Sequence, residues 1–457
     1  MVNTLYLPEL REMLAENDSA ELREFCTALH AARTAEFMEG LTPTEAWEVL
    51  KHADRETRAE IFGYFDRDKQ VEIIETGDRT EMGQLIANLP NDDRVDVLNH
   101  VEPEIVVELL PFVPEIDRRD ILRLSSYAEG TAGAVMTTAL AKIGEERTVR
   151  EALEEIGRQA EQLETIYYVY VVDNDDHLRG LVSARQLVSA MGKPHTKIKD
   201  LMERDLVTVR VDDDQEKVAQ DVARFDLHAI PVVDEEHRLI GIITHDDVID
   251  VMREEASEDV YRMAAVQPLV ENYLETALHS IWWKRSIWLS WLFLAEMLTL
   301  SVMVRFESSI KEIVALTFFV PLCIATGGMS GTQAATLITR AMALGHVALS
   351  DWWRVILHEL AVGVALGVTL GAMGFVGALL TPDSDSLGGA NPYMFALVIS
   401  QAVMAICVWG TMVGSMLPLA FARFGIDPAY ASSPFVATFV DVTGILILFT
   451  LAQVYLF

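Results

Sequence analysis

Asp441 sits inside an apolar run, Pro434-Phe-Val-Ala-Thr-Phe-Val-Asp-Val-Thr-Gly-Ile-Leu-Ile-Leu-Phe-Thr-Leu-Ala, long enough to cross a bilayer. A carboxylate at membrane depth costs about 2.5–3.5 kcal/mol even on lenient insertion scales, so such residues line water-filled paths or meet a counter-charge. Helical spacing puts Pro434, Ala437, Thr438, Gly444 and Ile445 on the same face as Asp441. Small and hydroxyl-bearing neighbours leave room for water beside the carboxylate. An oxygen-only, wet environment suits Mg²⁺, which sheds its hydration shell reluctantly. The competing interpretation is a structural Asp bonded to a neighbouring helix or paired with Arg340 or Arg423. Asp427-Pro-Ala-Tyr-Ala-Ser-Ser-Pro434 precedes the run and reads as a short broken helix. Asp427 would stand at its inner mouth, as ion ligand, as N-cap, or as both.

A second group of acids lies upstream. Asp246, Asp247, Asp250, Glu254, Glu255, Glu258 and Asp259 follow one another at helical spacings. Like charges so placed repel by a few tenths of a kcal/mol per pair, a repulsion that a divalent cation relieves and that a solvated helix face tolerates. Asp92, Asp93 and Asp96 form another acidic patch that could face the first across a domain interface.

Composition divides the chain that must position these groups. The formal net charge is −33, with 36 basic and 69 acidic residues. Residues 281–457 hold seven basic and nine acidic residues, leaving 29 and 60 in residues 1–280, a net of −31. An acidic soluble body is thus joined to a nearly neutral membrane body. The charge argues against nucleic acid or anionic lipid as partners and favours a cationic ligand. Adaptation to a salty environment would give the same excess. The three cysteines are far apart and form no metal pair or disulfide framework. The first residues lack a charged region followed by an apolar core, so a signal peptide is not expected.

Residues 1–130 read as short amphipathic helices in a right-angled stack. Thr42 is placed as N-cap, Pro43 at the first helical position and Glu45 three residues after the cap. Residues 131–255 contain an internal repeat: Tyr167-Tyr-Val-Tyr-Val-Val-Asp173 with His177-Leu-Arg-Gly-Leu-Val-Ser183 is echoed by Ala229-Ile-Pro-Val-Val-Asp234 with His237-Arg-Leu-Ile-Gly-Ile-Ile-Thr244. Met136-Thr-Thr and Met202-Glu-Arg open the two copies. The repeat resembles a tandem pair of CBS domains, an α/β fold that commonly binds adenine nucleotides. On that resemblance Thr244 and Asp247 match the phosphate- and ribose-binding spacing, and Tyr170 would stack an adenine. Arg185 belongs to the first copy, where Gln186 replaces the expected acid.

Residues 256–282 are expected to form a connecting helix, kinked at Pro268, with Val266, Val270, Tyr273 and Leu274 on one side. Five spans then follow in residues 283–457, at about 287–304, 313–339, 355–380, 393–422 and 435–456. Their flanks hold five basic residues on one side and two on the other, which predicts cytoplasmic N-terminal domains in a plasma-membrane protein. The repeated Gly363, Gly367 and Gly371 read as tight helix packing. Glu359 and Glu296 are further membrane acids, the first able to pair with Arg354 and the second without an assigned role.

Together these residues resemble the MgtE family of magnesium channels and transporters over nearly the whole chain. The most specific matches are Tyr127-Ala-Glu-Gly-Thr-Ala-Gly-Ala-Val-Met-Thr-Thr, Lys284-Arg-Ser-Ile-Trp-Leu, and the segment from Asp427 to Asp441. The resemblance implies a homodimer, a helical N domain, a CBS pair, a plug helix and five membrane helices. It also implies a pore at Asp441 with Thr438 and Ala437 beside it, closed when Mg²⁺ binds the cytoplasmic acids. ATP at the CBS pair is a further expectation. One departure stands out: the family's second span reads Gly-Gly-Asn-x-Gly-x-Gln, and here Met329 replaces the Asn. The rivals are a transporter of Mn²⁺ or Co²⁺, an exporter, and a membrane-anchored nucleotide or cation sensor that passes no ion. No nucleophile–base pair suggests an enzyme, and no protein partner beyond a second copy is inferable.

Overall fold

The structure, a computed structural model, describes residues 5–160, 163–269, 273, 276–380 and 386–457; the side chain of Asp92 lies outside the described part. Two compact units result, Met1–Arg253 and Glu254–Phe457.

The first unit opens with ten short helices, from α1 (Leu7–Glu16) to α10 (Glu115–Leu124), among them α4 (Pro43–Leu50) and α8 (Asn91–His100). Side-chain caps start several of them. Thr42 and Glu45 form the expected capping box on α4, with Thr42 N donating to Glu45 Oε2 at 2.9 Å. Asp18, Asp54 and Asp78 cap other helices through their carboxylates. Each such cap contributes about 1 kcal/mol. Too short to be stable alone, the helices pack Leu22, Met38, Leu50, Phe62, Ile73 and Met82 into one core.

The repeat becomes two three-stranded sheets. β1 (Leu140–Gly144), α11 (Val149–Gln159), β2 (Thr165–Val172), β3 (Leu178–Ser183) and α12 (Ala184–Ser189) build the first copy. β4 (Val209–Arg210), α13 (Gln215–Phe225), β5 (Ala229–Val233), β6 (Leu239–Thr244) and α14 (His245–Met263) build the second. In each sheet the first two strands are parallel and the last two antiparallel. The segments that open the copies cross over. Thr137, before β1, bridges to Ile242 of β6, and Glu203, before β4, bridges to Leu181 of β3. A Cβ on Gly241 would come within 2.8 Å of Thr137 O, and one on Gly180 within 2.6 Å of Glu203 O. Glycine is therefore required where each opening strip is laid against the other copy's sheet.

The second unit holds five long apolar helices: α15 (Leu278–Arg305), α17 (Ala315–Ala343), α18 (Trp352–Leu380), α19 (Pro392–Arg423) and α20 (Ser433–Leu456). A short α16 (Glu307–Glu312) joins the first two. The long helices match the five spans read from hydropathy. α17 continues unbroken through Pro321 and its glycines because α19 packs tightly against them. A Cβ on Gly414 would lie 2.0 Å from Gly331 O, and one on Gly410 2.4 Å from Gly327 O. The glycines of α18 meet Thr411, Met404 and Ser400 of α19, as the packing interpretation expects. Gly414→Ala should therefore force two backbones apart at an overpacking cost of about 1–3 kcal/mol. Thermal unfolding in detergent should show a lower midpoint for Gly414→Ala. Gly377→Ala, whose Cβ would meet nothing within 4 Å, should show none.

The connecting helix differs from expectation. α14 runs on from the second CBS copy and ends at Met263, Ala265 takes a left-handed φ of 57°, and residues 266–269 are not helical. Pro268 thus lies beyond a helix end instead of kinking a continuous helix. Val270 and Leu274 lie outside the described residues. Lys284 Nζ donates to Pro268 O at 2.7 Å and ties this stretch to the start of α15.

Candidate cation pathway and sensing acids

Asp441 stands half-buried on α20, beside the glycines of α17. A Cβ on Gly328 would lie 3.5 Å from Ala437 Cβ and 3.6 Å from Asp441 Oδ1, ordinary contact distances, so α17 faces the carboxylate here without crowding it. The next residue on α17, Met329, is 61% exposed. Among the described residues no basic side chain pairs with Asp441, which leaves the structural pairing with Arg340 or Arg423 without support. The predicted face is only partly open. Pro434, Ala437 and Thr438 are half-buried, whereas Gly444 and Ile445 turn into the bundle, Gly444 against Ile406. Thr438 Oγ1 donates to Pro434 O at 2.9 Å, a bond that uses its hydrogen and not its lone pairs.

Asp427 is the N-cap expected of it, and its second oxygen is taken by an arginine. Its Oδ1 accepts from Ala429 N at 2.8 Å, capping the short 3₁₀ turn Pro428–Tyr430. Its Oδ2 accepts from Arg262 at the end of α14. Arg262 also pairs with Glu258 and lies over the Tyr430 ring, 5.4 Å from its centroid. Sequence reasoning missed Arg262, although its spacing of four from Glu258 was a visible signal. Asp259 shares the site. Burial, then the charges of Asp427 and Glu255, raise its pKa to about 6, against the opposing pull of Arg262. Glu254 is exposed.

The N-terminal end of α14 belongs to a separate acidic centre. Asp93 on α8 is exposed at its surface, yet the chain packed around it and then the charge of Asp247 raise its pKa, with Arg67 opposing and Asp250 and Asp246 adding to it. Glu164, just before β2, is pushed to about 7 by burial and by Asp247, Asp246 and Asp93. Four carboxylates from helical domain and CBS pair thus converge. Glu164 was not foreseen, since nothing in its local sequence marks it. Asp96 does not join them: it pairs with Arg67. Asp250 is exposed and makes an ion pair with Arg253 at 3.5 Å. The acids of α14 therefore serve two centres, twelve residues or about 18 Å of helix apart, and not one continuous face.

The sign of the pH effect follows. A carboxylate raised from 4.5 to about 7 holds a proton in the folded state that the unfolded chain has lost. Without a divalent ion, stability therefore falls as pH climbs through that window. Mg²⁺ binding at the centre should release protons near pH 7 and cease to do so at alkaline pH. Titration calorimetry in two buffers of different ionisation enthalpy would measure this.

At the nucleotide candidates, Thr244 starts α14 with its Oγ1 donating to Asp247 Oδ2 at 2.5 Å. The first copy repeats the arrangement with Ser183 Oγ donating to Gln186 Oε1 at 2.8 Å, so glutamine serves as a cap where an acid was expected. Arg185 is exposed. Tyr170 must be corrected. It is 0% exposed, packed with Val172, Ala229 and Ile242 between the two sheets, and cannot stack on a ligand. The accessible aromatic surface is Tyr167 and Tyr168 beside His228, with ring centroids 5.3 and 6.2 Å away. Glu359 is buried, and Arg354 pairs with Asp351 instead of with it.

The sequence model of MgtE, described as a divalent cation transporter, matches residues 320–451. That of the MgtE intracellular N domain matches 29–130, and the CBS domain matches 132–193 and 198–254. These matches, with five helices long and apolar enough to cross a membrane, place the chain among divalent cation transporters that carry a CBS pair. The chain is 36% identical over 450 residues to the magnesium transporter MgtE of Thermus thermophilus, covering 98% of each chain. It therefore belongs to the MgtE family of magnesium transporters. The Bacillus subtilis magnesium transporter MgtE is 28% identical over 397 residues, 87% of this chain and 85% of that one. Two solved structures resemble the N-terminal part. One is the soluble part of a magnesium transporter, at 33% identity with a TM-score of 0.51, covering 55% of this chain and 97% of that one. The other is the cytosolic domain of the Mg²⁺ channel MgtE in complex with ATP, at 35% identity with a TM-score of 0.50, covering 53% and 98%.

Proposed function

We propose that this chain is a Mg²⁺-gated Mg²⁺ pathway in the plasma membrane, working as a homodimer with its N-terminal domains in the cytoplasm. Asp441 is the pore ligand, with Ala437 and Thr438 beside it and Asp427 at the inner mouth. The observation that carries this reading is the Asp441 carboxylate within the last span, facing Gly328 of α17 with no basic partner among the described residues. A two-fold arrangement would set two such carboxylates across one axis and hold a hydrated Mg²⁺ through its water.

Gating uses the two acidic centres. When cytoplasmic Mg²⁺ is low, Asp93, Glu164, Asp246 and Asp247 repel, and Asp96 and Asp250 add to the field around them. When it is high, the ion bridges them and favours the closed population. Glu254, Glu255, Glu258 and Asp259 carry the effect along α14 towards Asp427. Arg262 supports this by joining the end of α14 to the pore-mouth acid. ATP binds the CBS pair at Thr244 and Asp247, with Arg185 at the edge and the base against Tyr167, Tyr168 and His228. That a related cytosolic domain was solved in complex with ATP supports nucleotide binding by this part of the chain.

The test is uptake in a strain lacking its own Mg²⁺ importers. The chain should restore growth at low Mg²⁺, with Mn²⁺ and Co²⁺ competing weakly. Uptake of Mn²⁺ or Co²⁺ alone would assign another cargo, and no uptake of any divalent ion would favour a sensor.

A further inference from the structure

α15 is the least covered span. Thr299 is its only buried residue among those described, and Trp291, Phe293, Leu294, Met297 and Leu298 are exposed along it, as befits a helix facing lipid. Glu296 breaks that pattern. It is half-buried, and its Oε1 accepts from Thr299 Oγ1 at 3.1 Å. With Ser286, Ser290, Pro434 and Thr438 it lines a groove of about 710 Å³ between α15 and α20. Pro434 and Thr438 stand seven and three residues before Asp441 and so lie on its side of α20.

One hydroxyl satisfies a fraction of what a mid-span carboxylate needs, and among the described residues Glu296 has no basic partner. An acid this costly in a membrane marks an ion path unless it is neutralised. Leu289, Leu292, Phe293 and Leu294 line much of the groove, and the hydroxyls of Ser286, Ser290 and Thr438 are the oxygens it sets beside Glu296, a ligand type that a hard divalent cation accepts. Met329, exposed beside Gly328, offers only a thioether, a poor ligand for such an ion. We propose that Glu296 is a second carboxylate of the cation path, meeting through water the divalent ion that Asp441 holds. Glu296 adds negative charge beside that ion, and it sets affinity and the preference for divalent over monovalent cations. The proposal rests on Asp441 being the pore ligand.

The experiment compares wild type with Glu296→Gln, Glu296→Asp and Asp441→Asn in proteoliposomes, following Mg²⁺ with an indicator dye and Na⁺ as the monovalent probe. Glu296→Gln should raise the Mg²⁺ concentration for half-maximal flux at least about fivefold at nearly unchanged maximal flux, the pattern of lost binding rather than lost structure. It should also admit more Na⁺. Glu296→Asp, which keeps the charge, should restore most of both. Wild-type affinity and selectivity in Glu296→Gln would overturn the proposal and leave Asp441 standing. So would a lower maximal flux at unchanged affinity, or a Glu296→Asp variant no better than Glu296→Gln. Flux surviving in Asp441→Asn would instead remove the pore reading beneath it.

Discussion

Asp441→Asn is expected to reduce Mg²⁺ flux at least about 100-fold, a loss of about 2.8 kcal/mol of transition-state stabilisation at about 1.4 kcal/mol per tenfold. The substitution keeps the shape of the side chain and removes its charge. The packing around Gly328, Ala437 and Gly444 should survive, because none of those contacts uses the ionised form. The thermal midpoint in detergent should therefore stay near wild type while the flux collapses. Intact flux would mean that the carboxylate is structural. Lost flux with lost folding would be answered by Asp441→Glu, which keeps the charge and should retain part of the flux.

The second large effect concerns the acids between the helical domain and the CBS pair. The variant Asp93→Asn with Glu164→Gln removes two of four mutually repelling groups and leaves the Thr244–Asp247 cap intact. Two consequences follow from the electrostatics. Without Mg²⁺ the variant should resist limited proteolysis better than wild type, because the repulsion that opens the unit has been weakened. Adding Mg²⁺ should then protect it little further, and the half-protecting concentration should rise by at least about tenfold, since a ligand shifts a population only by its differential affinity. Unchanged protection curves would move sensing elsewhere, the Asp259–Asp427 centre being the next place to test.

Local rules made much of the architecture legible. The spans stood out because about 20 apolar residues have few other uses. The Thr42–Glu45 box and the two strand–turn–strand copies were readable because their signals lie within a few residues. What escaped depends on long-range packing. Alternation along β2 puts Tyr168 and Tyr170 on one face, but the sequence does not say that this face meets the second sheet. The crossing of Met136 and Met202 onto opposite copies hides behind a repeat that looks like two separate units. Glu164 is an acid like its neighbours until the fold sets it against Asp247. The acids of α14 looked like one face because their spacing is helical, yet opposite ends of the helix meet different acids. The helix end at Met263 followed from the left-handed Ala265, a conformation alanine does not announce.

The most direct test of the central claim is Mg²⁺ flux through the purified chain in proteoliposomes, with Mg²⁺ added or withheld on the side that carries the acidic domains. The account predicts rapid Mg²⁺ movement when that side is free of Mg²⁺, and a steep fall once the ion reaches the acids. An absence of Mg²⁺ flux through folded protein, or a flux that Mg²⁺ on that side leaves unchanged, would contradict it.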